Sequence, residues 1–188
     1  MVNFYTATGA QPGGAAALPQ LERLLSNKQV ALPGGGGLVH AKFNLEPVGL
    51  PRLPLAGEMR RYLKHILLAL QRCQQAGWCV VDVRPSNVVL TTGDTWVLID
   101  AAEHATLHGQ PLPAGVAPAV PMPRTANAHT DIYQLAAMLQ PLGAAPSPLL
   151  AYVTNDVFNA GPEFWAAMQR PVPETPTQLL LRKYMQGV

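Results

Sequence analysis

Apolar residues recur at helical spacing through one long stretch of this chain. Over residues 55–75, Met59, Tyr62, Leu63, Ile66, Leu67, Leu70 and Cys73 fall on one face, while Glu58, Arg60, Arg61, Lys64 and Arg72 take the other. That period predicts an amphipathic helix. Gly77 stops it, because glycine supplies the left-handed residue that ends helices. A second, apolar helix is predicted over 131–140, opened by a Thr130 or Asp131 cap and ended by Pro141. Leu18, Leu21, Leu24 and Leu25 share a helical face and predict a third helix over 18–26. Strands are predicted at 29–32 and 38–43 around a turn of Pro33 and Gly34 to Gly37. Two more are predicted at 88–91 and 95–99, joined through Gly93-Asp94. Residues 1–17 carry little periodicity and read as a flexible or short extended arm. Residues 47–54 are a proline-punctuated linker, and 101–127 form a long, Pro-rich irregular loop. Further helical pieces are predicted near 148–158, 162–168 and 175–185.

Composition narrows the class. A chain of 188 residues suits one domain with a real core, and 48% apolar against 13% charged residues excludes wholesale disorder. The net charge is +2 and no basic run of five or more exists, so nucleic acid is not an expected partner. No basic segment followed by an apolar stretch opens the chain, no apolar run approaches membrane-spanning length, and Val2 does not fit N-myristoylation. An intracellular, cytoplasmic protein with no membrane contact is expected. Cys73 and Cys79 read as reduced core or near-core residues, and the five histidines show no metal-ligand spacing.

One polar cluster adds chemistry. Residues 80–90 read Val80-Val81-Asp82-Val83-Arg84-Pro85-Ser86-Asn87-Val88-Val89-Leu90, and Trp96-Val97-Leu98-Ile99-Asp100 follows. A carboxylate thus lies five positions before an amide, and a second carboxylate closes an apolar strand. Phosphoryl transfer from ATP needs such groups. One Asp accepts the substrate hydroxyl proton, while an Asn and another Asp hold Mg²⁺ against the phosphates. Asp82 is then the candidate catalytic base, and Asn87 and Asp100 are the candidate cofactor and metal ligands. Arg84 is a candidate for steadying a phosphate. Asp82 and Asn87 also fit a capped turn, since both residue types favour turns.

The segment resembles the protein-kinase catalytic core, in which Asp precedes Asn by the same interval and the metal-binding Asp lies further on. Tyr62-Leu63-Lys64-His65-Ile66-Leu67-Leu68-Ala69-Leu70, running through Gly77 to Leu90, looks like kinase helix E entering the catalytic loop. Asp131-Ile132-Tyr133-Gln134-Leu135-Ala136-Ala137-Met138-Leu139 resembles helix F, which supports the large lobe from within. Leu38-Val39-His40-Ala41-Lys42-Phe43 resembles the fifth strand entering the hinge, and residues 18–32 the end of helix C and the fourth strand. The resemblance spans residues 18–140. It implies an α+β, predominantly α fold. A kinase-like large lobe would occupy 47–188, a remnant small lobe of one helix and one β-hairpin with the hinge 18–46, and a flexible arm 1–17. It also implies that Asp131 accepts backbone N–H groups of the catalytic loop. Glu22 falls where the helix-C Glu sits, although its spacing also reads as an exposed helix residue.

Departures from the family decide the functional expectation. Lys42 lies too close to Asp82 in sequence to be the strand-three lysine, because helix C, two strands, the hinge and helix E would have no room. Gly34 to Gly37 lacks the G-x-G-x-x-G spacing and reads as a hairpin turn. The His-Arg pair before the catalytic Asp is Val80-Val81. Asp-Phe-Gly is Asp100-Ala101-Ala102, and Pro121-Met122-Pro123-Arg124 stands in the Ala-Pro-Glu region. Without a lysine clamp or covering amides, Mg²⁺ would carry nearly all of the charge stabilisation, so ATP and Mg²⁺ are expected to bind weakly. The expected role is a pseudokinase-like binding, scaffold or regulatory module whose partner is another protein, not an enzyme. One alternative is an atypical Mg²⁺-dependent phosphotransferase using Asp82, Asn87 and Asp100, since aminoglycoside and choline kinases share that logic. Another is a helical interaction protein unrelated to kinases.

Overall fold

Along the chain run α1 (Val2–Thr8), β1 (Arg23–Ala31), β2 (Val39–Glu46), β3 (Leu50–Pro51), α2 (Met59–Gln75), β4 (Trp78–Cys79), β5 (Val88–Leu90), β6 (Trp96–Leu98), β7 (Thr106–Leu107) and α3 (Ala128–Leu139). The computed structural model describes residues 2–10, 20–31, 39–114 and 125–139, with 177 and 181–182. Among them the fold is mixed α/β, with few helices beside small antiparallel sheets. Most of the helical pieces expected after residue 140 lie outside the described residues, as does the turn expected at 33–37.

The apolar stripe read from the sequence is the buried face of α2. Met59, Tyr62, Leu63, Ile66, Leu67, Ala69, Leu70 and Cys73 are all buried. The helix starts at Met59 rather than at 55, because Glu58 folds back on the chain before it. Its carboxylate accepts the Leu55 N–H at 2.8 Å and takes both terminal nitrogens of Arg52, at 2.8 and 2.6 Å. Those contacts hold residues 56–58 in a 3-10 turn and keep the Glu58 carboxyl down at about 2, with Arg52 the main cause. The other end of α2 closes at Gly77, whose φ is +81°.

β5 and β6 pair antiparallel, with Val88 opposite Leu98, and β3 lines the free edge of β5. β3 falls within the stretch read as a proline-punctuated linker. Pro51 is tolerated there because an edge strand needs no donor on its outer side. β4 and β7 form a separate two-stranded ribbon, with Trp78 opposite Leu107 and Cys79 opposite Thr106. α2, β5 and β6 share one core, in which Tyr62 and Trp96 meet edge to face at 4.9 Å. Arg52 lies over Trp96, 4.9 Å from its centroid.

Two expectations at the start of the chain need correction. Residues 2–8 are a helix, not an arm. Phe4, Tyr5 and Thr8 are buried, Phe4 stacks edge to face on Trp78, and Arg72 of α2 donates to the Thr8 carbonyl at 2.7 Å. Seven residues are too few to display a period, so the pattern was invisible. Residues 18–26 are not helical where described. Leu21 bridges β6 in parallel, with the Leu98 N–H on the Gln20 carbonyl at 2.9 Å and the Glu22 N–H on the Leu98 carbonyl at 3.0 Å. β1 begins directly after, and it pairs with β2 as a longer hairpin than expected. Ladder bonds to β6 and β2 satisfy this backbone, and tertiary pairing overrides the leucine period.

Candidate functional site

Residues 80–83 form the centre of the site, gripped from below by α3. Asn127 caps that helix. Its side-chain oxygen accepts the Thr130 N–H, and the Thr130 hydroxyl accepts the Asn127 N–H, both at 3.3 Å. The cap is therefore Asn127 rather than Thr130 or Asp131, and this leaves Asp131 free to turn inward. Its carboxylate, fully buried, accepts the Val81 N–H at 2.8 Å and the Val80 N–H at 3.2 Å. One turn on, Gln134 donates to the Val81 carbonyl at 2.7 Å and accepts the Val83 N–H at 2.9 Å. Val81 needs this support because its φ is +63°. A β-branched residue in that region is strained by about 1–3 kcal/mol. Burial raises the Asp131 carboxyl to about 6, while the two amides pull it back down.

Asp82 projects from this braced loop. Its Oδ2 accepts from Asn87 Nδ2 at 2.8 Å, lies 3.1 Å from Arg84 Nη2 and 3.5 Å from His104 Nδ1. Asp82 Oδ1 takes no partner among the described residues. Asn87 is buried, and its Nδ2 also donates to the Asp82 carbonyl at 3.1 Å. Its Oδ1 accepts from Arg84 Nε and from the Ser86 hydroxyl, both at 3.3 Å. The backbone carries the chain on to Asp100, since the Ile99 N–H donates to the Asn87 carbonyl at 2.8 Å. Asp100 itself is exposed and sits at φ +53°. Ala101 and Ala102 behind it are buried in the core.

Glu22 braces the Asp100 turn. It is buried on an extended segment, not exposed on a helix; its carboxylate accepts the Tyr5 hydroxyl at 2.6 Å and lies toward the backbone amides of Asp100 and Ala101, which favour its charged form. Burial, with the Asp100 charge adding to it, raises the Glu22 carboxyl; the three donors oppose that rise. Burial and the Glu22 carboxylate push the Tyr5 hydroxyl well above the ordinary tyrosine range. The sequence-predicted residues Asp82, Arg84 and Asn87 thus form one bonded group, Asp100 joins it through backbone, and Asp131 holds it from beneath. His104, Gln134 and the Tyr5–Glu22 pair were not found from sequence. The i, i+3 spacing of Asp131 and Gln134 was the available signal for one of them. His104 lies just before β7, and the pairing of β7 with β4 brings that stretch near the loop that follows β4, where His104 Nδ1 lies 3.5 Å from Asp82 Oδ2.

A divalent cation at Asn87 would bind through Oδ1, the amide oxygen. That oxygen already accepts from Arg84 and Ser86, and among the described residues no three His, Cys, Asp or Glu side chains gather to hold a metal. Mg²⁺ at Asn87 Oδ1 would thus have to displace Arg84 or Ser86. Burial drives the Cys73 and Cys79 thiols up, which leaves both inert as nucleophiles. Among the described residues no helix is long and apolar enough to cross a membrane. Compared with known proteins, the sequence matches no family model and no curated protein.

Proposed function

We propose that this chain is a protein-kinase-like domain acting as a binding or scaffold module for another protein rather than as a catalyst. The observation that carries this reading is the grip of Asp131 and Gln134 on the backbone of residues 80–83, four hydrogen bonds from one face of α3. That grip supports a kinase-like relation between helix and loop. The loop it presents has its amide oxygen occupied by Arg84, so the chemistry of Asn87 is directed inward. A loop whose side-chain amide is bonded inward suits recognition better than turnover, because phosphoryl transfer depends on donors and metal aimed at the phosphates.

The phosphotransferase alternative has one observation in its favour: Asp82 Oδ1 takes no partner among the described residues, and an unpartnered carboxylate oxygen is what a hydroxyl proton needs. ATP titration by calorimetry, with and without Mg²⁺, separates the two. Weak or absent binding that Mg²⁺ does not strengthen is the expected result. Low-micromolar, Mg²⁺-dependent affinity, together with phosphate transfer lost in Asp82→Ala, would overturn the binding-module reading in favour of an enzyme.

A further inference from the structure

Arg84 leaves the chain from a fixed point. Pro85 restricts the residue before it to extended backbone, and Arg84 sits at φ −145°, ψ 162°. Its carbonyl accepts the Asn87 N–H at 3.0 Å, closing the 3-10 turn Pro85–Asn87. From there the guanidinium folds over the turn. Nε meets Asn87 Oδ1 at 3.3 Å, and Nη2 meets Asp82 Oδ2 at 3.1 Å. One planar cation therefore spans an amide oxygen and a carboxylate oxygen, two atoms of the hard-oxygen kind that a divalent ion also takes. The Arg84 side chain is 55% exposed, whereas that of Asp82 is 19% exposed, so the charge is presented from the rim onto the more enclosed carboxylate.

We propose that Arg84 is the resident cation of this site. Its guanidinium takes the seat of a divalent metal ion, so Asp82 and Asn87 are held together without metal, and the seat stays closed to Mg²⁺ and Mn²⁺ while residue 84 is positively charged. A guanidinium is tethered to the chain, so unlike a free metal ion it is not diluted away from these two oxygens. The inference concerns the seat alone and holds whether or not the chain binds a partner protein.

Mn²⁺ titration, followed by the electron paramagnetic resonance of the free ion, tests it without nucleotide, partner or activity. The parent protein is compared with Arg84→Met, Arg84→Gln, Arg84→Lys and the double variant Arg84→Met with Asp82→Asn. Both neutral variants are expected to bind Mn²⁺ at least tenfold more tightly than the parent, and Arg84→Lys is expected to stay with the parent. The double variant should lose the gain. Equal affinity in the parent and the neutral variants, at whatever value, overturns the proposal. So does a gain in Arg84→Lys equal to that in Arg84→Met, or a gain that survives Asp82→Asn. Since the Arg84 side chain supports no backbone group among the described residues, none of these single changes at position 84 threatens the fold. A failed Mn²⁺ result leaves the binding-module reading standing, which the ATP titration addresses separately.

Discussion

Asp131 holds Val81 in a conformation that valine does not choose. The carboxylate accepts the Val81 N–H at 2.8 Å while the residue stands at φ +63°, and the next carboxylate along the chain, Asp82, is aimed by that turn. Position and support of the candidate site thus come from different segments, which makes their contributions separable by mutation.

Asp131→Ala is expected to destabilise the protein more than Asp82→Ala. The first removes a buried acceptor and leaves the Val80 and Val81 amides without their partner, at about 1–3 kcal/mol or more. The second removes a carboxylate that bonds side chains rather than backbone amides, and Asn87 Nδ2 keeps its bond to the residue-82 carbonyl. Urea unfolding of both variants beside the parent measures this. Equal midpoints, or a lower one for Asp82→Ala, would show that α3 does not brace the loop.

Stability should also depend on pH through Asp131. Its carboxyl rises from 3.8 to about 6 on folding, so the folded state binds the proton more tightly than the unfolded chain. The stabilisation this brings is complete below the unfolded value and is lost as pH rises through about 6. The span is about two pH units, worth at most about 3 kcal/mol. The difference in unfolding free energy between the parent and Asp131→Asn is expected to shift in the parent's favour on going from pH 7.5 to pH 4.5. A difference independent of pH would contradict the burial of an ionisable group there. Glu22 is raised in the same direction, but both proteins contain it, so its effect cancels.

Tyr5→Phe should weaken the fold by about 1–3 kcal/mol while leaving helix content unchanged, because it strips one donor from a buried carboxylate. Glu22→Ala should cost more, since it leaves the Tyr5 hydroxyl without its acceptor and removes the buried carboxylate that faces the Asp100 and Ala101 amides. Thermal unfolding ranks the two. The reverse order would mean that the hydroxyl, rather than the turn amides, is the main beneficiary of Glu22.

Gly9→Ala should also destabilise the chain, by about 1–2 kcal/mol for an alanine in left-handed backbone. Gly9 stands at φ +72°, and a Cβ there would lie 2.8 Å from Arg72 Nη2, displacing the side chain that closes α1. Chemical denaturation would reveal an unchanged midpoint if the end of α1 is not needed.

Long periods and local turn chemistry were legible in the sequence; pairings between distant segments were not. α2 and α3 repeat their apolar face over several turns, and Val88–Leu90 with Trp96–Leu98 are joined by a recognisable turn. The polar spacing of Asp82 and Asn87 was legible for the same reason, as both lie in one short loop. Leu21 and its neighbours misled because a leucine period says nothing about a strand waiting alongside, here β6. β4 and β7 have two residues each, below any period, and exist only by pairing. Glu22 and His104 reach the site through those silent pairings, so their roles had no local signature.

The bond from Arg72 to Thr8 joins residues 64 positions apart, and the aromatic face of α1 rests on Trp78, which is farther downstream still. During synthesis α1 precedes every one of these partners. A helix of seven residues does not persist alone in water, so this segment must stay unstructured until α2 has been made and folded. Tyr5 can reach Glu22 only at that stage. Docking of α1 therefore waits on segments made after it, and protection of the α1 amides would report when Tyr5 and Glu22 meet.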